Sequence, residues 1–272
     1  MLKIYYLSSE IKPFSEVNQL ASFSKEFSST LKNNKDIDIR LIQPKYGFIS
    51  DRRYILREVI RLKDLNINFM NKEHSINIKS GFIPNTRVQV YFMEHEKYFS
   101  DTSELLYKSR NGRVYANNQE RFTFFVKASI ETLKKLYWTP DYIICSDWQM
   151  SMAGIMMKNI FKDELKDTKL VYMLHDINDF YQFDNVIYDK LGLNFNKKNK
   201  TQNNLINSIK LSDYVYIYND ENKSCEKYIS KHKKVKDAFK DVKHEFVDYS
   251  DSLEVSDRIE VYNNILNKLK KQ

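Results

Sequence analysis

The stretch LKIYYLSSEIKPFSEVNQLASFSKEFSSTLK, residues 2–32, decides the fold class. It opens with an apolar run of strand length, Leu2 to Leu7. It closes with an amphipathic helical pattern, Leu20 to Leu31. SSEIKPFSEVNQL, residues 8–20, is therefore the first strand-to-helix turn of an α/β protein. In nucleotide- or sugar-phosphate-binding folds that turn usually carries glycines, which let backbone N–H groups approach a phosphate. This turn contains none. It is either a ligand loop of another kind or a ligand loop that has lost its ligand.

The pattern continues outward from this unit. Ile37 to Ile42 reads as a second strand, Asp51 to Lys72 is mixed, and Ser75 to Ser80 with Arg87 to Phe92 reads as a strand pair around Gly81, Pro84 and Asn85. Asp101 to Asn118 is polar and reads as loop. Glu120 to Leu136 has apolar residues at helical spacing and is stopped by Pro140. The spacing then predicts strand Tyr142 to Cys145, helix Trp148 to Phe161 and strand Leu170 to Leu174, followed by a long polar and aromatic loop from Asp176 to Thr201. Leu205 to Leu211 reads as helix, Tyr214 to Tyr218 as strand, Asp220 to Ser230 as helix, Glu245 to Val247 as a last strand and Arg258 to Leu269 as a terminal helix. Short apolar strands alternating with amphipathic helices imply a largely parallel sheet covered on both faces. Ligands of such sheets bind beyond the carboxyl ends of the strands. The segments that matter are then residues 8–19, 43–50, 145–149, 175–183 and 219–222.

Composition narrows the function classes. At 42% hydrophobic and 14% aromatic, 272 residues bury a real core. No apolar run approaches the roughly 18 residues of a membrane span, and MLKIYYLSSE lacks the features of a signal peptide. Cys145 and Cys225 match no metal or redox spacing and read as buried thiols of a reducing cytoplasm. The net charge of +8 raises nucleic-acid binding. The basic clusters (Lys197, Lys198 and Lys200; Lys231 to Lys236; Lys268 to Lys271) have no shared aromatic stacking pattern, so the reading is no nucleic acid and no membrane. No cofactor and no metal site is indicated.

Two post-strand loops carry candidate chemistry. CSDWQ, residues 145–149, places Asp147 at a strand end beside a helix start, and LHDINDF, residues 174–180, places His175 and Asp176 past the next strand. A carboxylate and an imidazole at adjacent strand ends can act on a sugar hydroxyl or a developing charge. The competing reading is structural: Asp147 as an N-cap and His175 as a hydrogen-bonded loop histidine.

At this point the chain resembles the N-terminal domain of the ADP-glucose-dependent bacterial glycogen synthases and plant starch synthases. The resemblance rests on Ser8, Ser9, Glu10 and Pro13; on Pro44, Tyr46 and Gly47; on VQVYFMEHEKYF (88–99); on NNQERFTFF (117–125); on Trp138, Pro140, Asp141, Asp147 and Trp148; on His175; and on LSDYVYIYN (211–219). These pieces follow the family's order over most of the chain. The resemblance implies a Rossmann-like, doubly wound α/β domain, the N-terminal half of a two-domain GT-B glycosyltransferase. The family reaction is glucosyl transfer from ADP-glucose to an α-1,4-glucan. By position, Asp147 and His175 match catalytic residues at the transferred glucose, and Glu10, Asn118 and Arg121 match substrate-binding residues.

The departures are specific. The family's KTGGL loop is Glu16, Val17, Asn18, Gln19 and Leu20 here, with an acid for the lysine and larger residues for both glycines. A carboxylate at 16 is expected to repel ADP-glucose. The family's DWH histidine is Gln149, and its HN pair is His175-Asp176. Nothing after Asn219 resembles the family's NG-[IV]-D linker or a second phosphate loop. The expectation is one domain over 1–272, with 220–272 a C-terminal extension packing on it and the second nucleotide-binding domain absent. The isolated chain is then a synthase relative impaired in transfer or one needing a partner protein for the missing half. The alternative is a non-catalytic relative that binds a glucan, a sugar phosphate or a protein.

Overall fold

The structure is a computed structural model and describes residues 1–193, 201–250 and 252–271. The cluster Lys197, Lys198 and Lys200 lies outside the described residues. The first half of the chain forms β1 (Leu2–Leu7), α1 (Gln19–Lys32), β2 (Ile37–Pro44), α2 (Asp51–Tyr54), β3 (Arg57–Glu58), β4 (Leu65–Phe69), β5 (Lys72–Phe82), β6 (Gln89–Glu94) and α3 (Asn118–Leu136). The second half forms β7 (Tyr142–Ser146), α4 (Ala153–Asn159), β8 (Lys169–Leu174), β9 (Gln182–Asp184), α5 (Asn185–Lys190), β10 (Thr201–Asn203) and α6 (Asn204–Leu211). It ends with β11 (Tyr214–Asn219), α7 (Ser224–Lys231), α8 (Lys233–Ala238), β12 (His244–Asp248) and α9 (Val255–Lys271).

The main sheet has the order β12-β11-β8-β7-β1-β2-β6-β5-β3, with β4 on β5. Every neighbouring pair from β12 through β6 is parallel, and β5 joins antiparallel to β6. Strand order runs outward from β1 in both directions, so the topological switch lies between β1 and β7. Crevices that hold ligands open at such a switch.

Successive side chains of a strand point to opposite faces, and the two tyrosines of β1 show which helices cover them. Tyr5 Oη lies 3.3 Å from the Ser129 carbonyl and 3.2 Å from Thr132 Oγ1, both on α3. Tyr6 Oη lies 3.0 Å from Ser24 Oγ on α1. Both faces are therefore dry, which explains why β1, β7, β8 and β11 read as near-continuous apolar runs. On the α1 face, α9 packs alongside, tied by Arg258 Nε to Glu26 Oε2 at 2.9 Å and by Tyr262 Oη to the same oxygen at 3.0 Å. No helix among the described residues is long and apolar enough to cross a membrane.

Three segments depart from the sequence reading. Trp148 to Phe161 is not one helix: a 3-10 turn, Trp148–Met150, precedes the short α4. There Ser208 Oγ of α6 donates to the Ser151 carbonyl at 3.1 Å and Asn204 Nδ2 donates to Ser151 Oγ at 2.9 Å, so a neighbouring helix competes for the polar groups at the break. The stretch read as loop from Asp176 to Thr201 contains β9 and α5 and ends at the start of β10, which pairs with β9. Helix α8 occupies part of the stretch after Ser230, to which the sequence reading assigns no element, and α7 starts at Ser224 rather than at Asp220.

Candidate functional site

Four of the five post-strand segments converge. A cleft of about 500 Å³ is lined by Asn18, Gln19 and Leu20 at the start of α1, by Asp147, Trp148 and Gln149 after β7, and by His175 to Asn178 after β8. Tyr218, Asp220, Ser224, Cys225 and Tyr228 close it from β11 and α7, and Tyr249 closes it from the end of β12. The segment 43–50 contributes nothing to this lining. Sequence reasoning misses Tyr218, Ser224, Cys225, Tyr228 and Tyr249 as lining residues. The strand-end rule could have found Tyr249, which directly follows β12. Tyr228 lies on α7, away from any strand end.

Asp147 and His175 are brought together. Asp147 occupies the position before the 3-10 turn, yet its side chain makes no capping bond. Its Oδ1 instead accepts from the backbone N–H of His175 at 2.7 Å and of Asp176 at 3.2 Å. The carboxylate thus ties the end of β7 to the end of β8, and the N-cap reading is set aside. This aim holds the residue at φ 54° and ψ −169°, a region that favours glycine. Burial pushes its carboxyl well above the usual carboxylate range, opposed by the His175 N–H bond.

The His175 ring lies parallel to Tyr218 at 4.2 Å between centroids and meets Phe23 edge-on at 4.6 Å. The residue is half-buried, but both ring nitrogens are shielded from solvent and have no hydrogen-bond partner. Burial lowers its pKa to about 3, so the ring is neutral near pH 7. The reading of His175 as a hydrogen-bonded loop histidine does not describe this ring. Gln149 is buried as well, and its Oε1 is also without a partner. An unpaired buried polar atom costs about 1–3 kcal/mol, so a cluster of them calls for an explanation.

Glu10, Asn118 and Arg121 are elsewhere. All three are buried and outside the cleft lining. Glu10 Oε2 accepts from the backbone N–H of Val17 at 2.7 Å and of Asn18 at 2.8 Å, while Oε1 takes Asn18 Nδ2 at 2.9 Å and the Tyr107 hydroxyl at 2.5 Å. The two N–H groups of this turn are therefore occupied by the protein's own carboxylate. Burial raises the Glu10 pKa against these donors. Arg121 donates to Asn118 Oδ1, Thr102 Oγ1 and the Leu106 carbonyl, and Asn118 Nδ2 donates to the Tyr107 carbonyl at 3.0 Å. The pair secures the segment between β6 and α3. Glu16 also lies outside the cleft, in a salt bridge of 2.7 Å with Lys12, so its charge is turned away and balanced. The bulk of Asn18 and Gln19, which replace the two glycines, does fall on the cleft wall.

Among the described residues the lining contains three carboxyl groups, Asp147, Asp176 and Asp220, and neither lysine nor arginine. Trp148 stacks on Phe180 at 4.8 Å. Such a surface, with aromatic rings and carboxyl groups above unpaired amide and imidazole atoms, suits a neutral polyhydroxylated ligand and disfavours a free anion. Among the described residues no group of three or more His, Cys, Asp or Glu is placed to hold a metal ion.

Known proteins share this architecture. The chain is similar to the glycogen synthases of Chlorobium limicola, 33% identical over 177 residues, and Chlorobium luteolum, 34% identical over 176 residues. Each match covers 64% of this chain and 36% of the relative, so the chain spans only part of the length of these proteins. In solved structures, the catalytic domain of starch synthase IV from Arabidopsis thaliana, bound to ADP and acarbose, has the same fold. Its TM-score is 0.70 at 18% identity, covering 91% of this chain and 51% of that one. Residues 3–258 match the family model of the starch synthase catalytic domain, and the chain belongs to that family of glycogen and starch synthases.

Proposed function

We propose that the strand-end cleft binds the neutral end of an α-1,4-glucan, with Asp147 and His175 contacting the sugar, and that this chain alone transfers glucose from ADP-glucose poorly or not at all. One observation carries the reading. Gln149 and His175 line the cleft and carry buried polar atoms without partners, Gln149 Oε1 and both ring nitrogens of His175, and the lining has no cation among the described residues. A neutral imidazole offers one donor and one acceptor, and an amide oxygen accepts, which is the complement of a row of hydroxyls. The same cleft gives a diphosphate little. Its lining is acidic, and the Val17 and Asn18 N–H groups already serve Glu10. Charge set in advance against the leaving group usually contributes most to the rate of such transfer.

Family membership and the meeting of Asp147 with His175 support a second reading, in which this domain takes part in the family reaction once a partner protein or further domain supplies cationic groups. The starch synthase IV structure holds ADP together with acarbose. Two measurements test the first reading. Maltooligosaccharides raise the melting temperature of the purified protein, and Asp147→Ala or His175→Ala reduces the shift. A shift that both variants leave intact overturns the site. Incorporation of labelled glucose from ADP-glucose into glycogen by the purified chain alone overturns the claim of weak transfer.

A further inference from the structure

Tyr107 lies in the segment between β6 and α3, buried and outside the cleft lining, yet it touches two of the cleft's walls by different atoms. Its hydroxyl donates to Glu10 Oε1 at 2.5 Å, and Glu10 holds the Val17 and Asn18 backbone and the Asn18 amide. Its ring meets Trp148 edge-on at 5.3 Å between centroids. Asn18 and Trp148 both line the cleft. The segment around Tyr107 is itself held in an unusual conformation. Leu106 has φ 52°, which leucine rarely adopts. The buried Arg121 guanidinium bonds the Leu106 carbonyl, and Asn118 bonds that of Tyr107.

We propose that Tyr107 is a positioning residue that sets two walls of the cleft by separable routes, the Asn18 wall through its hydroxyl and Glu10, and the Trp148 wall through its ring. Asn118 and Arg121 then serve the site at one remove by fixing the backbone that carries Tyr107. The effect on affinity rests on the glucan reading above, while the positioning of the walls does not.

Two substitutions divide the routes. Tyr107→Phe removes the hydroxyl and keeps the ring, and Tyr107→Leu removes both. Hydrogen exchange reads the first wall at the Val17 and Asn18 amides, and the fluorine signal of Trp148 in 5-fluorotryptophan-labelled protein, assigned with Trp148→Phe, reads the second. In Tyr107→Phe the two amides exchange faster by about tenfold, as expected for loss of one hydrogen bond in their support. The amides of Tyr5 and Tyr6 and the Trp148 signal stay unchanged. In Tyr107→Leu both walls move, and maltoheptaose affinity falls further than in Tyr107→Phe. Amides unaffected by Tyr107→Phe, or a Trp148 signal displaced equally by both variants, overturn the proposal. Absence of maltoheptaose binding by the unsubstituted protein overturns the glucan reading instead, and the exchange and fluorine measurements still decide this one.

Discussion

Replacing Asp147 by glycine is predicted to leave a more stable protein than replacing it by alanine, the reverse of the usual order. Both variants lose the same carboxylate, with its bonds to the His175 and Asp176 N–H groups and its burial cost. They differ in the backbone at φ 54° and ψ −169°. Alanine must hold that conformation at about 1–3 kcal/mol, and glycine holds it freely. Glycine gives back about 0.4–1 kcal/mol through its more flexible unfolded chain. The difference left spans about 0–2.6 kcal/mol and centres on roughly 1.3 kcal/mol in favour of glycine. For a chain of this size each kcal/mol moves the melting point by roughly 2–4 °C, so Asp147→Gly should melt several degrees above Asp147→Ala. Differential scanning calorimetry of the two variants in one buffer measures it. Equal melting points, or a higher one for alanine, would show that residue 147 relaxes to an ordinary conformation, and the strain reasoning would fail.

Further outcomes follow from the same geometry. The His175 pKa is lowered to about 3 by burial, so the unfolded chain binds a proton between about pH 6.5 and 3 that the folded ring refuses. Its contribution to stability is therefore lost as pH falls through that window. Asp147, with its raised pKa, works in the opposite direction. The difference between His175→Gln and the unsubstituted protein in urea titrations at pH 7 and pH 5 isolates the histidine, and an unchanged difference would contradict its burial. Arg121→Lys, which cannot span Asn118, Thr102 and Leu106 together, should cost about 1.5–3 kcal/mol in denaturant unfolding and expose the 102–107 segment to proteolysis. Binding of maltoheptaose should change little between low salt and about 0.5 M, since a neutral ligand is not screened. A steep loss with salt would point to a charged ligand.

The residue pattern made much of the architecture legible. β1, β7, β8 and β11 are buried on both faces, so their apolar runs were unmistakable, and α1 shows one apolar stripe. Local rules also marked the strand-end segments that supply much of the cleft lining. They failed where distant groups decide the outcome. The break before α4 depends on side chains of α6 more than fifty positions away. The strand pair β9-β10 forms across a segment whose own composition reads as loop.

By itself, then, the sequence determined the largely parallel sheet, the membership implied by SSE, Pro13 and ERF, and the loss of both glycines from the first turn. Those follow from period, burial and residue identity, which are local properties. Tertiary structure alone decided where the charges and donors went. Glu16, the acid in place of a lysine, turns to Lys12, whereas Glu10 occupies the N–H groups of the turn. Asp147 bonds the β8 end instead of capping its own helix, and the His175 nitrogens are left without partners at the cleft. Each outcome is set by contacts between segments far apart in the chain, and a linear pattern holds no record of which of its polar atoms will be satisfied by one another.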